Sequence, residues 1–258
     1  MITKLAYLLL FIIFSFFSYA QTSNYGLPVE DPEVILKNQD NFLKYYNTYL
    51  KLSENFIGLD SSSQVIERGV FLQYISSGKF LPLRLISKDP VYFKLYKINT
   101  SVDNMITVLL QSIGITEYKY FQLEGKPLPF FNYVDLNDNV YNIENTKGKI
   151  VVLKFWFIHC TTCVAEFPAL NKLVNNYAKR KDILFLSLAF DQKSDLVNFL
   201  KKNKLNYAVI ANQKKYVLED LGIALFPTHL VINKNGDVVK VVNSYEELEP
   251  ILRKEALN

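Results

Sequence analysis

Trp156-Phe157-Ile158-His159-Cys160-Thr161-Thr162-Cys163 decides the fold, because an apolar strand ends in it and a helix begins in it. Upstream, Ile150 to Trp156 is apolar except for Lys154, the pattern of a strand buried on both faces. Downstream, Cys160 to about Lys179 reads as a helix, with Leu170, Leu173 and Tyr177 continuing its apolar pattern. Ile183 to Phe190, broken only by Ser187, is a second buried strand, so the quoted stretch lies inside a βαβ unit. Leu196 to Lys202 then reads as part of a helix, Tyr207 to Ile210 as a short strand, and Lys214 to Leu221 as a helix ended by Gly222. His229 to Asn233 and Val238 to Val242 flank the turn Lys234-Asn235-Gly236-Asp237 as a hairpin, and Glu246 to Ala256 closes the chain as a helix. A βαβ unit with an antiparallel ending predicts an α/β fold, a mixed central sheet with helices on both faces.

Toward the N-terminus, Glu124-Gly125-Lys126-Pro127-Leu128-Pro129 is rich in turn formers and marks a boundary. Phe131 to Val134 and Val140 to Ile143, around Leu136-Asn137-Asp138-Asn139, read as a hairpin that opens the second unit, residues 125–258. Residues 21–124 read as a mainly helical accessory region. Ile35, Phe42, Tyr46, Tyr49 and Leu52 fall on one face from Asp31 onward, with Pro32 suited to the first turn. Val65 to Ile75 and Val102 to Leu110, the latter capped by Ser101, read as further helices, with Pro82 and Pro90 breaking the pattern between them. This region holds no Cys and no His, and its aromatic stripe reads as core.

The 258 residues leave room for two units, and a 50% hydrophobic, 14% aromatic composition supplies a sizeable core. The 29 basic and 25 acidic residues are scattered without a basic stripe, which gives nucleic-acid binding no support. Residues 1–20 combine Lys4, an apolar run from Leu5 to Phe17 and the small-x-small ending Ser18-Tyr19-Ala20, the layout of a signal peptide cleaved after Ala20. The run is shorter than the ~20 residues of a spanning helix, a retained anchor being the alternative. No Cys follows Ala20 for lipid attachment.

Export makes the cysteines informative, since thiols outside the cytoplasm are usually paired for structure. Here the 2 cysteines are three residues apart, and a bridge between them closes almost no loop. The spacing suits a bond that opens and closes. At the N-terminus of a helix, unpaired N–H groups and the macrodipole favour the thiolate, the form that attacks disulfides. Cys160 is then the exposed nucleophile, and Cys163, one turn on, resolves the mixed disulfide. A zinc site wants four ligands, but only His159 and His229 could add imidazoles, and His159 adjoins Cys160; neither metal nor cofactor is expected. Phe226-Pro227-Thr228 precedes a strand, its proline either a trans strand-start residue or a cis loop.

From about Gly125 onward the chain resembles the TlpA/ResA-like branch of the thioredoxin superfamily, exported bacterial thiol-disulfide oxidoreductases. The resemblance rests on the Pro-rich entry and hairpin, Gly148-Lys149, Trp156, both cysteines, Glu166-Phe167-Pro168, Pro227 and Asn233-Lys234-Asn235-Gly236. It implies a thioredoxin-like fold and a cis Pro227 shaping a substrate groove together with Trp156, Phe226 offering backbone hydrogen bonds to a partner chain. It also implies a Glu166 that tunes the thiols and assists proton transfer, and a kink at Pro168 in the active-site helix. Without the resemblance, Glu166 reads as a surface helix residue.

Three positions depart from that pattern. Thr162 stands where most relatives carry Pro, and with Thr161 it bears on the potential of the pair. His159 stands where Trp is common, either as a cation favouring the thiolate or as a neutral solvent-facing ring. Lys154 falls where thioredoxins proper have a buried acid and shares a strand face with Trp156. It either snorkels to water or needs a partner, and the expected partner is Glu166 beneath the disulfide. The resulting expectation is a periplasmic reductase of protein disulfides fed by a membrane thiol-electron transporter, with disulfide-containing or dithiol proteins as partners. Oxidase or isomerase activity, or a non-enzymatic binding or metal-relay role, are the alternatives. A peroxidase would need Thr three residues before its reactive Cys, where Phe157 and Cys160 stand.

Overall fold

The computed structural model describes residues 25–99 and 101–257, so the expected leader over residues 1–20 lies outside them. The accessory region runs α1 (Pro32–Ile35), α2 (Gln39–Tyr49), β1 (Phe56–Leu59), β2 (Val65–Ile66), α3 (Arg68–Ser76), β3 (Phe80–Arg84), β4 (Val91–Lys97) and α4 (Asn104–Leu123). Helix remains its larger share, but a four-stranded sheet of order β2-β1-β4-β3 is folded into it. Val91-Tyr92-Phe93-Lys94-Leu95-Tyr96-Lys97 alternates at period two, and Phe93 and Leu95 are its core face. Pro82, expected to interrupt, sits within β3 at the sheet edge, where its missing N–H removes no ladder bond on the open side.

Three helix readings shift. The stretch from Asp31 breaks between α1 and α2, where the Asn38 side chain caps the Asn41 N–H and restarts the helix. The break resets the helical phase, so Tyr45 joins Phe42 in the core while Tyr49 is exposed. Val65 and Ile66 pair with Leu59 and Gly58 as a strand, and the helix begins only at Arg68. The helix expected to start after Ser101 is capped by Asp103 and runs on to Leu123. It crosses α3 at Gly114, where a Cβ would stand 2.3 Å from the Ser76 nitrogen.

The second unit runs β5 (Asn132–Val134), β6 (Val140–Asn142), α5 (Ile143–Thr146), β7 (Ile150–Trp156), α6 (Thr161–Ala165), α7 (Phe167–Asn176), β8 (Ile183–Ala189), α8 (Lys193–Leu200), β9 (Ala208–Ile210), β10 (Thr228–Ile232), β11 (Val238–Val242) and α9 (Tyr245–Glu255), with a π-helical turn over Tyr216–Asp220. Its five strands lie in the order β11-β10-β7-β8-β9, with β7, β8 and β9 parallel and β10 and β11 antiparallel. This is the mixed sheet of a thioredoxin-like fold. One face is covered by Leu170 and Leu173 of α7, Leu196 of α8, and Leu248 and Leu252 of α9. The other is covered by Phe131, Tyr133, Val217 and Leu221, and by Tyr120, which α4 carries into this core from the accessory region.

Candidate functional site

The central strand β7 delivers the site. Its last residue, Trp156, is followed by a loop whose Ile158 N–H donates to Asp191 Oδ2 at 2.8 Å, anchoring it beyond the end of β8. Cys160 is the N-cap of α6, and its Sγ accepts the Cys163 N–H at 3.3 Å. A backbone donor is thus aimed at the sulfur that must carry charge when the pair is reduced. The two cysteines form a disulfide with their Cα atoms 5.2 Å apart. Cys160, expected to be exposed, is largely buried at 7%, and Cys163 is fully buried at 0%, so what little exposure the pair has lies on the first cysteine. His159, Thr161 and Thr162 are exposed around it, with Thr162 Oγ1 3.5 Å from Cys160 Sγ.

Below the disulfide three ionisable side chains meet. Lys154 of β7 pairs in register with His229 of β10, which places both on the face covered by α6 and α7. Glu166 lies at the break between α6 and α7, where Pro168 has no N–H to continue the helix ladder. Its Oε2 accepts from Lys154 Nζ at 2.7 Å and His229 Nε2 at 3.1 Å, and its Oε1 accepts the Tyr245 N–H at 2.8 Å. Lys154 is fully buried, its ammonium 5.9 Å from the Phe167 ring.

The charges follow from these partners. Burial alone would raise the Glu166 carboxyl, but the hydrogen bond from His229 and the charge and hydrogen bond of Lys154 outweigh it and hold it down to about 2. Burial lowers Lys154, partly offset by Glu166. Burial lowers His229 below its usual range against the pull of Glu166, and Lys154 adds to the lowering. His229 is therefore the neutral Nε2–H tautomer, and its buried Nδ1 has no partner among the described residues.

Two placements differ from expectation. Trp156, expected at the substrate surface, is 0% exposed and packs edge-on against Phe167 at 5.0 Å; strand alternation turns it into the core, under the site. His229 was visible in the sequence only as a strand residue and a stray imidazole, yet it completes the buried trio. The Phe226-Pro227 bond is cis, and Thr228 pairs with Phe155, so Pro227 stands level with Trp156 where the cysteine loop departs. Phe226 is half-buried with its ring 5.8 Å from Phe157 and 5.1 Å from Phe190, neither of which the sequence had marked. Together these rings form an aromatic lip beside the cysteine loop. Among the described residues no cluster of three His, Cys, Asp or Glu is placed to hold a metal ion.

The redoxin family profile matches residues 123–255. Thiol-disulfide oxidoreductase ResA of Bacillus thuringiensis is 31% identical over 160 residues, covering 58% of this chain and 92% of that protein. ResA of Bacillus subtilis is 29% identical over 144 residues, covering 54% and 80%. The crystal structure of the thioredoxin domain of a thiol-disulfide oxidoreductase from Bacteroides vulgatus is 27% identical with a TM-score of 0.46, covering 51% of this chain and 96% of that one.

Proposed function

This chain belongs to the redoxin family and is a thiol-disulfide oxidoreductase, and from that premise we propose that it reduces disulfides of proteins outside the cytoplasm by dithiol–disulfide exchange. The Cys160 thiolate attacks one sulfur of a substrate disulfide, forming a mixed disulfide and expelling the other substrate sulfur, which takes up a proton. Cys163 then loses its proton and attacks Cys160 Sγ, releasing the second substrate thiol. Two electrons pass to the substrate and the Cys160–Cys163 bond forms, the oxidised state described above.

The observation that carries this reading is the Cys163 N–H directed at Cys160 Sγ at the start of α6, with the first cysteine of the pair alone retaining any exposure. In it, Glu166 is an ionised group that tunes the thiols, held by Lys154 and His229. Pro227 and Phe226 shape the groove in which a partner chain lies, and His159, Thr161 and Thr162 modulate the potential. The division into an accessory region, residues 21–124, and a catalytic unit, residues 125–258, belongs to the same proposal. So do export by a leader cleaved after Ala20 and resupply of electrons by a membrane thiol transporter.

Insulin reduction tests it. Wild type reduces insulin and Cys160→Ala falls to background; equal rates defeat the reading. A redox titration of the pair fixes the direction: a potential near thioredoxin's, about −270 mV, supports a reductase, and one near about −120 mV an oxidase.

A further inference from the structure

Tyr120 belongs to the accessory helix α4, yet its hydroxyl lies 3.2 Å from Thr228 Oγ1, on the residue that follows Pro227. Asn243, just after β11, closes the connection. Its Nδ2 is 2.7 Å from Thr228 Oγ1, 3.2 Å from the Pro227 carbonyl and 3.2 Å from Tyr120 Oη.

The donors can be assigned by elimination. The Thr228 hydroxyl hydrogen goes to the Leu225 carbonyl, so Thr228 Oγ1 can only accept from its other neighbours. Tyr120 therefore donates to Thr228. The Asn243 amide has two hydrogens: one goes to Thr228, and the other is shared between the Pro227 carbonyl and Tyr120 Oη. Tyr120 and Thr228 are nearly or wholly buried, at 3% and 0% exposure, so each of these polar atoms depends on the network for its partners.

A second strand of the network comes from the same region. Ser53 Oγ donates to Glu247 Oε1 at 2.7 Å, while Glu247 Oε2 accepts the Asn243 N–H at 3.1 Å. Both strands converge on Asn243 and through it on the Pro227 carbonyl. By contrast, the ion pairs joining Arg68 and Lys240 through Glu124 tie the region to β11 and do not reach the loop.

We infer that Tyr120 is a positioning residue for the loop that carries Pro227, so that the accessory region takes part in engaging peptide substrates. This rests on the proposed function, which gives that loop its role. A protein disulfide lies along the loop, whereas a small disulfide needs only the Cys160 sulfur. The two substrate sizes therefore separate a positioning role from a general one.

The experiment compares full-length wild type, Tyr120→Phe, Thr228→Val and the double variant on two probes, insulin and hydroxyethyl disulfide, together with the potential of the cysteine pair. Tyr120→Phe raises KM for insulin about fivefold, in line with loss of one buried hydrogen bond. Its kcat, its rate on hydroxyethyl disulfide and its potential stay at wild-type values. Thr228→Val raises the same KM, and the double variant loses less than the two singles combined, because both remove the bond between Tyr120 and Thr228. An insulin KM within twofold of wild type overturns the inference, as do parallel losses on both probes or additive effects in the double variant. A wild type unable to reduce insulin defeats the parent reading; an active wild type with an unaffected Tyr120→Phe defeats only the inference.

Discussion

Two carboxylates on helices, one beneath the disulfide and one where the two regions meet, have been driven in opposite directions by their surroundings. Glu166 has three donors within 3.1 Å and is held down to about 2. Glu117 on α4 is raised to about 7, first by burial and then by the charge of Glu247 on α9. Arg68 and Lys240 oppose that rise, but Glu124, to which both are paired at 2.7 and 3.0 Å, adds to it. Burial pushes every carboxyl upward, so the uncommitted donors within reach decide the sign. The redox site is built around a permanent anion, the junction around a proton exchanged near neutrality.

Removing the anion gives the largest effect. Glu166→Gln leaves the Lys154 ammonium buried without a counter-charge, which costs about 3–5 kcal/mol of stability. An independent bound agrees: discharging a lysine of ordinary pKa at pH 7 costs roughly 5 kcal/mol at most. Urea denaturation measures it, and a loss below about 1 kcal/mol would mean that Lys154 does not depend on Glu166. In wild type the sign is that of a depressed carboxyl. Its contribution is complete above 4.5, its ordinary value, and is lost as pH falls through about 2.

Glu117→Gln should behave oppositely and more weakly. A raised carboxyl stabilises below its ordinary value of 4.5, and that contribution is lost as pH rises through about 7. The variant no longer has to ionise there, so at pH 8 it should exceed wild type by up to about 3 kcal/mol. At pH 4.5 the two should nearly coincide. Urea titrations at both values test the contrast, and a difference independent of pH would erase it.

What the sequence revealed of these two places follows from the range of the interactions. The cysteine pair, the apolar strands β7 and β8, and Pro227 could be read because their meaning lies within a few neighbouring residues. Lys154 stood out as a charge in an apolar run, and Glu166 lies close enough in sequence to be named as its partner. His229 could not be assigned without the register of β10 on β7, a pairing across 75 residues. Tyr120 lay beyond the expected end of its helix, and its partners Thr228 and Asn243 are more than 100 residues away. The accessory sheet was missed because β2 is only two residues long and the alternation of β4 begins directly after the break marked by Pro90. Alternation along β7 already put Trp156 beside Lys154, under the site, against the surface role that the family resemblance suggested.

The smallest change in stability should come from the other half of the buried ion pair. Lys154→Met removes the ammonium and its desolvation together, and leaves Glu166 the His229 and Tyr245 N–H donors. Replacing a buried charge by an apolar side chain of similar length should therefore cost no more than about 1–2 kcal/mol, well below Glu166→Gln. The electrostatic effect should be the larger signal. With a neutral His229, the trio changes from no net charge to a net negative one beneath the cysteines, which disfavours the thiolate. The Cys160 pKa should rise and the Glu166 carboxyl should move up from about 2, the first read by thiolate absorbance and the second by carboxyl NMR. If both stay at wild-type values, Lys154 is not part of what holds the anion, and the contrast with Glu117 rests on His229 and the Tyr245 amide alone.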